Sequence, residues 1–138
     1  MTFSDAWENM ILKHRFNIQG YATSELWAGL SSADPLDDGS GVSEPQAAGA
    51  AYARVKTNVA DGTSWQVSDA TGTTINNSAV ITFPTAGDDW GTMTHFALFS
   101  GSTAGASVLC HGALTSSREV QNGDTARFSA GQLNICLK

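Results

Sequence analysis

Residues 79–114 decide the fold of this chain, and they read AVITFPTAGDDWGTMTHFALFSGSTAGASVLCHGAL. An acidic corner at 87–91 and a small polar loop at 100–106 divide the stretch into three apolar runs, rich in residues that favour strands. The runs are 80–83, 93–99 and 108–114. The second and third runs have no polar face, and such strands belong in the middle of a sheet covered on both sides. The stretch therefore predicts the core of an all-β domain.

Turn signals and alternating segments elsewhere predict further short strands. Residues 51–59 alternate, with small apolar residues on one face and Tyr52 and Arg54 on the other, as in a half-exposed strand with one basic face. Residues 69–77 indicate a polar loop, and Asn122-Gly123 predicts a hairpin with a type I′ turn. Altogether we predict a β-sandwich or jelly roll of about eight strands.

One amphipathic helix is predicted at the N-terminus, over residues 3–16. Thr2 or Ser4 can cap it, and Asp5 and Glu8 lie in its first turn, where the helix dipole favours acidic residues. Its main apolar stripe follows the helical spacing of three and four residues. The stripe consists of Phe3, Trp7, Met10, Ile11 and His14.

Two further apolar residues of this helix, Leu12 and Phe16, lie off the main stripe. The helix either covers one end of the sandwich or docks on a neighbouring subunit. We accordingly divide the chain into an N-terminal helical segment, 1–20, and a β-sandwich domain, 21–138. Deleting residues 1–16 is expected to leave the β-domain folded and to impair assembly.

Composition and charge exclude several classes of protein. The 138 residues correspond to one domain, only 14% are charged, and 13 acidic against 7 basic residues give a net charge of −6. Without a basic cluster, nucleic-acid binding is not expected. No apolar run approaches the roughly 20 residues of a membrane span. The first residues do not resemble a signal peptide, so synthesis in a cytoplasm is expected.

The long loop 31–49 contains four acidic residues and several Gly and Ser residues, which raises the possibility of a calcium site. The spacing does not match an EF-hand loop, which has ligands at alternate positions and a glutamate at the twelfth. We therefore expect a solvated surface loop.

Motifs for catalysis are weak throughout. His95, His111 and Cys110 lie close together in the predicted core, but they lack the close ligand pairs of a zinc site, so we expect satisfied core histidines. Residues 101–105 only approximate a nucleophile elbow, with threonine at the nucleophile position. We predict no catalytic residue, metal ligand or cofactor, and no enzymatic activity. Cys110 and Cys136 are expected to stay unpaired, because cytoplasmic synthesis keeps thiols reduced.

The order of short motifs along the chain resembles a widespread family of small tailed-bacteriophage virion proteins, often labelled tail-fibre or structural proteins. The motifs are LWAGLS at 26–31, ADP at 33–35, DDGSG at 37–41, YARV at 52–55, AVITFP at 79–84, WGTMTHF at 90–96, GALT at 112–115 and GDT at 123–125. The resemblance implies a virion component that contacts major capsid or tail proteins and forms a homo-oligomer. From charge and hydropathy, as above, we expect no nucleic-acid or membrane partner.

Within that family, the expected role is a capsid decoration (cement) protein that stabilises the particle by protein contacts. The alternatives are a tail or tail-fibre component, or a carbohydrate-binding β-sandwich. The last alternative depends on exposed coplanar aromatic residues, for which the candidates are Tyr52, Trp27, Trp65 and Trp90.

The candidate interface residues lie on the helix and at the acidic corner; they are Trp7, Met10, Ile11, Leu12, Phe16 and Trp90. For Trp90 two interpretations stay open. The indole is either a lid on the core or an interface anchor, and we favour the lid.

Overall fold

The computed structural model describes residues 2–16, 25–57, 65–68 and 74–136. These residues form one helix and ten strands, so the all-β class with one N-terminal helix is confirmed. The elements are β1 (Thr2–Phe3), α1 (Asp5–Arg15), β2 (Trp27–Ser31), β3 (Val55–Lys56), β4 (Trp65–Val67), β5 (Thr74–Asn77), β6 (Ile81–Thr82), β7 (Gly91–Phe99), β8 (Val108–Val120), β9 (Arg127–Phe128) and β10 (Asn134–Cys136).

The largest sheet has five antiparallel strands in the order β1-β8-β7-β2-β3. The two long strands β7 and β8 lie inside it, as their lack of a polar face predicts. Leu98 and Phe99, which are neighbours on β7, are both buried although they point to opposite faces. The sheet is therefore covered on both sides at this point.

Two smaller sheets, β10-β5-β4 and β6-β9, contribute to the main core on one face of the large sheet. One buried cluster combines Phe96 and Leu98 of β7 with residues of both small sheets. These are Ile81 of β6, Phe83 directly after it, and Ile135 of β10. This layering is that of a sandwich, in which apolar residues of facing sheets share one core.

The opposite face of the large sheet carries a second, smaller core of Ala97, Phe99 and Val108. Val42, from the loop between β2 and β3, packs against it. This loop also contains a fully buried proline, Pro35, and a buried carboxylate, Glu44. The expectation of a solvated surface loop is therefore wrong for these positions, because the loop covers an apolar sheet face.

Tyr52 and Arg54 point inward, against the face predicted for them. Further along the segment, Thr57 is buried and Lys56 is exposed, as the alternation predicts. Within that segment the structure describes only β3 as strand, Ala51 has a positive φ of 54°, and residues 58–64 lie outside the description. Arg54 is buried while Ala53 is exposed. Arg54 points inward because it has a buried ionic partner, described below. The alternating pattern of 51–59 gives no sign of that partner.

The segment 74–77 is the central strand of the three-stranded sheet, although a polar loop was predicted there. Its last residue, Asn77, is completely buried and acts as a hydrogen-bond hub. The amide donates to the carbonyl oxygens of Ala79 (2.8 Å) and Ser129 (2.9 Å) and accepts from the N–H of Leu133 (2.9 Å). Tertiary hydrogen bonds thus stabilise this strand, although its asparagine residues locally disfavour strand formation.

The Asn122-Gly123 turn is present, but it does not close a hairpin. Asp124 N–H donates to the Gln121 carbonyl at 3.0 Å, and Gly123 has a φ of 89° while Asn122 has no positive φ. A type I′ turn needs positive φ at both central residues, so that prediction is wrong. The turn instead directs the chain from β8 towards β9, which pairs with β6 in another sheet.

Candidate interaction surfaces

The N-terminal helix is attached to the large sheet by its first turn. Phe3 is part of β1, which pairs with β8, so the helix begins two residues later than predicted. Buried Ser4 caps it, since its Oγ accepts the N–H of Trp7 at 3.3 Å and donates to the Val108 carbonyl at 2.6 Å. The rings of Phe3 and Trp7 meet edge to face, with centroids 4.8 Å apart. Deleting residues 1–16 would therefore also remove a sheet strand.

Beyond its first two turns, the helix exposes large apolar side chains. Ile11 is 42% exposed, Leu12 57% and Phe16 71%. Trp7 and Met10, the other predicted interface residues on the helix, are partly buried, and Trp7 packs against the core. We define the exposed apolar end of the helix as Ile11, Leu12 and Phe16.

Trp90, the sixth predicted interface residue, lies inside the main core and is only 6% exposed. Its indole Nε1 donates to the Ala50 carbonyl at 2.7 Å, and Tyr52 meets it edge to face at 5.2 Å. So little surface remains on this ring that it cannot serve a neighbour as an anchor in this conformation. The position is that of a lid on the core.

Arg54 forms a buried ion pair with Glu44, and the two side chains are only 4% and 8% exposed. The contact is bidentate, with Nη2 to Oε2 at 2.8 Å and Nε to Oε1 at 2.9 Å. Tyr52 donates its hydroxyl proton to Glu44 Oε1 at 2.7 Å. Burial and the Glu44 carboxylate both raise the pKa of Tyr52 far above its usual range, so the phenol stays protonated.

The same guanidinium also connects two further parts of the structure. Its Nη1 donates to the carbonyl oxygens of Gly101 (3.1 Å) and Thr103 (2.7 Å) in the β7–β8 loop. Its central carbon lies 3.4 Å above the centre of the Phe99 ring, as in a cation–π contact. Gly29 leaves the space for this cluster, since a Cβ there would lie 2.8 Å from Glu44 Oε1. The cluster thus connects the β2–β3 loop with the β7–β8 loop.

His111 is a buried histidine of β8 whose ring nitrogens both have polar partners, as predicted. Its Nε2 lies 3.1 Å from Asp37 Oδ1 and its Nδ1 lies 3.4 Å from Asp34 Oδ1. Each ring nitrogen thus faces a carboxylate of the β2–β3 loop. Across the described parts of the chain, no group of three or more His, Cys, Asp and Glu side chains is arranged to hold a metal ion.

The two cysteines are free thiols, in agreement with the sequence-based expectation. Cys110 lies in β8 of the large sheet and Cys136 in β10 of the three-stranded sheet. Burial raises the pKa of the Cys110 thiol to about 12. A neutral, enclosed thiol is unreactive.

We therefore expect iodoacetamide at neutral pH to modify Cys136 and to leave Cys110 unmodified in the folded protein. Cys136 is only half-buried, whereas Cys110 needs unfolding to become both accessible and ionised. Mass spectrometry before and after denaturation measures the result. Equal labelling of both cysteines in the native state would contradict the buried position of β8.

The four aromatic residues proposed for sugar stacking do not form an exposed platform. Trp90 is buried, and Tyr52, Trp27 and Trp65 are partly buried against the two cores. Tyr52 and Trp90 are also nearly perpendicular, at 87°. The coplanar exposed aromatics that the carbohydrate-binding alternative needs are thus not found among these residues.

The comparison with known families decides the identity of the chain. Residues 2–136 match the family described as Podophage GP4 fiber I protein gp80. The chain belongs to this fiber I protein family. The match covers the helix, every strand and both cores, so the resemblance to tailed-phage virion proteins is confirmed. Among curated proteins, no match to the chain was found.

A fiber I family protein is a structural component of a phage virion. Its surface is therefore of interest for contacts with other virion proteins. Within the described residues, no helix has the length and apolarity to cross a membrane. The positions of Leu12 and Phe16 off the main stripe are visible in the sequence, whereas the Arg54–Glu44 pair is not. The partners are ten residues apart around an aperiodic loop, so no periodic signal connects them.

Proposed function

We propose that this fiber I family protein is a non-enzymatic component of the podophage tail fibre that assembles through protein–protein contacts. The observation that carries the proposal is the match to a fiber I family over residues 2–136. The match favours a fibre position over the capsid decoration role expected from the sequence, because the family description names a fibre.

The described surface supports a role based on contacts. A rigid β-core presents a short helix whose free end exposes Ile11, Leu12 and Phe16. Symmetric assemblies repeat one such contact many times, so a modest apolar area per subunit suffices. The partners in this proposal are other copies of the chain and tail proteins of the same virion.

Electron microscopy of intact particles tests the position directly. Particles carrying an affinity tag at the C-terminus of this chain, labelled with gold-conjugated antibody, are expected to show gold at the tail fibres. A particle with the tag on a capsid protein provides the control for label position. Gold distributed evenly over the capsid would overturn the fibre proposal and support the decoration role, and absence from purified particles would overturn both.

A further inference from the structure

A groove of about 430 Å³ opens between the far half of β8 and the segment that follows it. Its volume lies within the range of about 300–1,000 Å³ that binding pockets typically have. Apolar side chains form the floor and two arginines lie on the rim. The residues that matter here are Phe83, Met93, Leu114, Phe128, Arg118 and Arg127.

The two rim arginines lack partners elsewhere in the described structure. The chain has only seven Lys and Arg residues, and two of them, Arg54 and Lys56, are held in ion pairs. Arg118 and Arg127 are exposed and form no ion pair with any described residue. An acidic chain thus places two free guanidinium groups beside one apolar groove, which is the chemistry of a site for a ligand that is both acidic and apolar.

Two acidic residues, Glu119 and Asp124, also lie on the rim. Asp124 is already engaged, because its carboxylate accepts the N–H of Gln121 at 3.0 Å. Glu119 remains available for a basic group of the occupant. The rim therefore favours an occupant with acidic residues and a single basic residue.

The outer face of α1 supplies the acidic residues of such an occupant together with apolar side chains. Asp5, Glu8, Leu12 and Phe16 follow helical spacing on the side opposite Trp7, and all four are exposed. Lys13 is also exposed on α1, about a quarter of a turn away from this face. The acidic residues lie about 6–10 Å from Leu12 along the helix axis, at the usual rise of 1.5 Å per residue. One helix thus carries an acidic end and an apolar end.

We propose that the outer face of α1 from one copy of this chain docks in the β8 groove of a second copy. Leu12 and Phe16 occupy the apolar floor, while Asp5 and Glu8 lie against Arg118 and Arg127. The same interaction covers Leu12 and Phe16 and neutralises the free arginines. It is a helix-in-groove contact, in which an amphipathic helix places its apolar residues in a hydrophobic groove.

This inference rests on the proposed function, since it names a partner for a chain that assembles by protein contacts. Its test uses purified protein in solution and does not involve the particle. Failure of the fibre localisation and failure of self-association are therefore separate results.

Sedimentation equilibrium of the full chain is expected to show reversible self-association. Leu12→Asp is expected to raise the dissociation constant at least tenfold, because a charge would enter an apolar groove. Val67→Asp is the matched control, since Val67 is similarly exposed (61% against 57%) but lies on β4, away from the groove. It is expected to leave the dissociation constant unchanged.

A charge reversal makes the test specific for the groove. The groove variant Arg118→Glu/Arg127→Glu and the helix variant Asp5→Lys/Glu8→Lys are each expected to lose self-association. An equimolar mixture of the two is expected to associate, because each helix then meets a groove of opposite charge. Circular dichroism of each variant checks that α1 and the sheet remain folded.

Three outcomes would overturn the proposal. The first is a wild-type chain that stays monomeric at about 1 mM, where association is worth only about 4 kcal/mol. The second is an equal change of the dissociation constant by Val67→Asp and by Leu12→Asp. The third is a mixture of folded charge-reversed variants that stays monomeric, which would place any self-association on another surface.

Discussion

Arg54→Ala is expected to lower the free energy of unfolding by about 3–5 kcal/mol, as removal of one partner from a buried ion pair does. The substitution leaves Glu44 as a buried carboxylate whose remaining described partner is the Tyr52 hydroxyl. It also removes the hydrogen bonds to Gly101 and Thr103 and the contact with Phe99. Urea denaturation of the purified protein, followed by tryptophan fluorescence, measures the change.

An exposed ion pair among the described residues supplies the matched control. Lys56 and Glu25 are in contact at 2.6 Å, but their side chains are 44% and 54% exposed. Lys56→Ala is expected to cost at most about 1 kcal/mol, since water solvates both charges after the change. The double variant Glu44→Gln/Arg54→Met is expected to be more stable than Arg54→Ala, because it removes both charges together. Similar losses for Arg54→Ala and Lys56→Ala would contradict a buried ion pair.

Trp90→Ala is expected to cost about 3–5 kcal/mol of stability, as aromatic-to-alanine changes in cores do. It removes a large buried ring from the main core and leaves the Ala50 carbonyl without its indole donor. Chemical denaturation of the dilute, unassembled protein, followed by far-UV circular dichroism, measures the loss. Dilution is needed so that self-association does not contribute to the apparent stability.

Trp90→Phe tests how much of this loss comes from the hydrogen bond. It retains an aromatic ring beside Tyr52 but removes the Nε1 donor and part of the ring volume, so the expected cost is about 1–3 kcal/mol, smaller than for Trp90→Ala. A change below about 1 kcal/mol for Trp90→Ala, the size usual for surface substitutions, would place the indole at an interface instead of in the core.

Local sequence patterns were sufficient to predict those secondary-structure elements that depend mainly on neighbouring residues. The apolar runs 93–99 and 108–114 correctly predicted the two central strands. Strict alternation would place Met93 on the face opposite Phe96 and Leu98. It instead shares their core, because the register of β7 and β8 shifts between Met93 and His95. A bulge of this kind changes which residues face the core, and no sequence period signals it.

Predictions failed where a polar residue has its partner far away in sequence. Asn77 is part of a strand because it bonds to Ser129 and Leu133, more than fifty residues away. Arg54 points inward because Glu44 and the β7–β8 loop receive its hydrogen bonds. Exposure and burial of such residues depend on contacts that form only after the sheets assemble.

The sequence alone determined the all-β class, the N-terminal helix with Leu12 and Phe16 off its main stripe, and the family resemblance. These features depend on residue type and on spacing over a few positions, which local physical chemistry sets. Only the tertiary structure decided that Trp90 is covered, that Glu44 and Arg54 pair beneath a loop, and that Arg118 and Arg127 flank one groove. Those arrangements bring together residues distant in the chain, and the energy of burying or pairing them exists only once the sheets are packed.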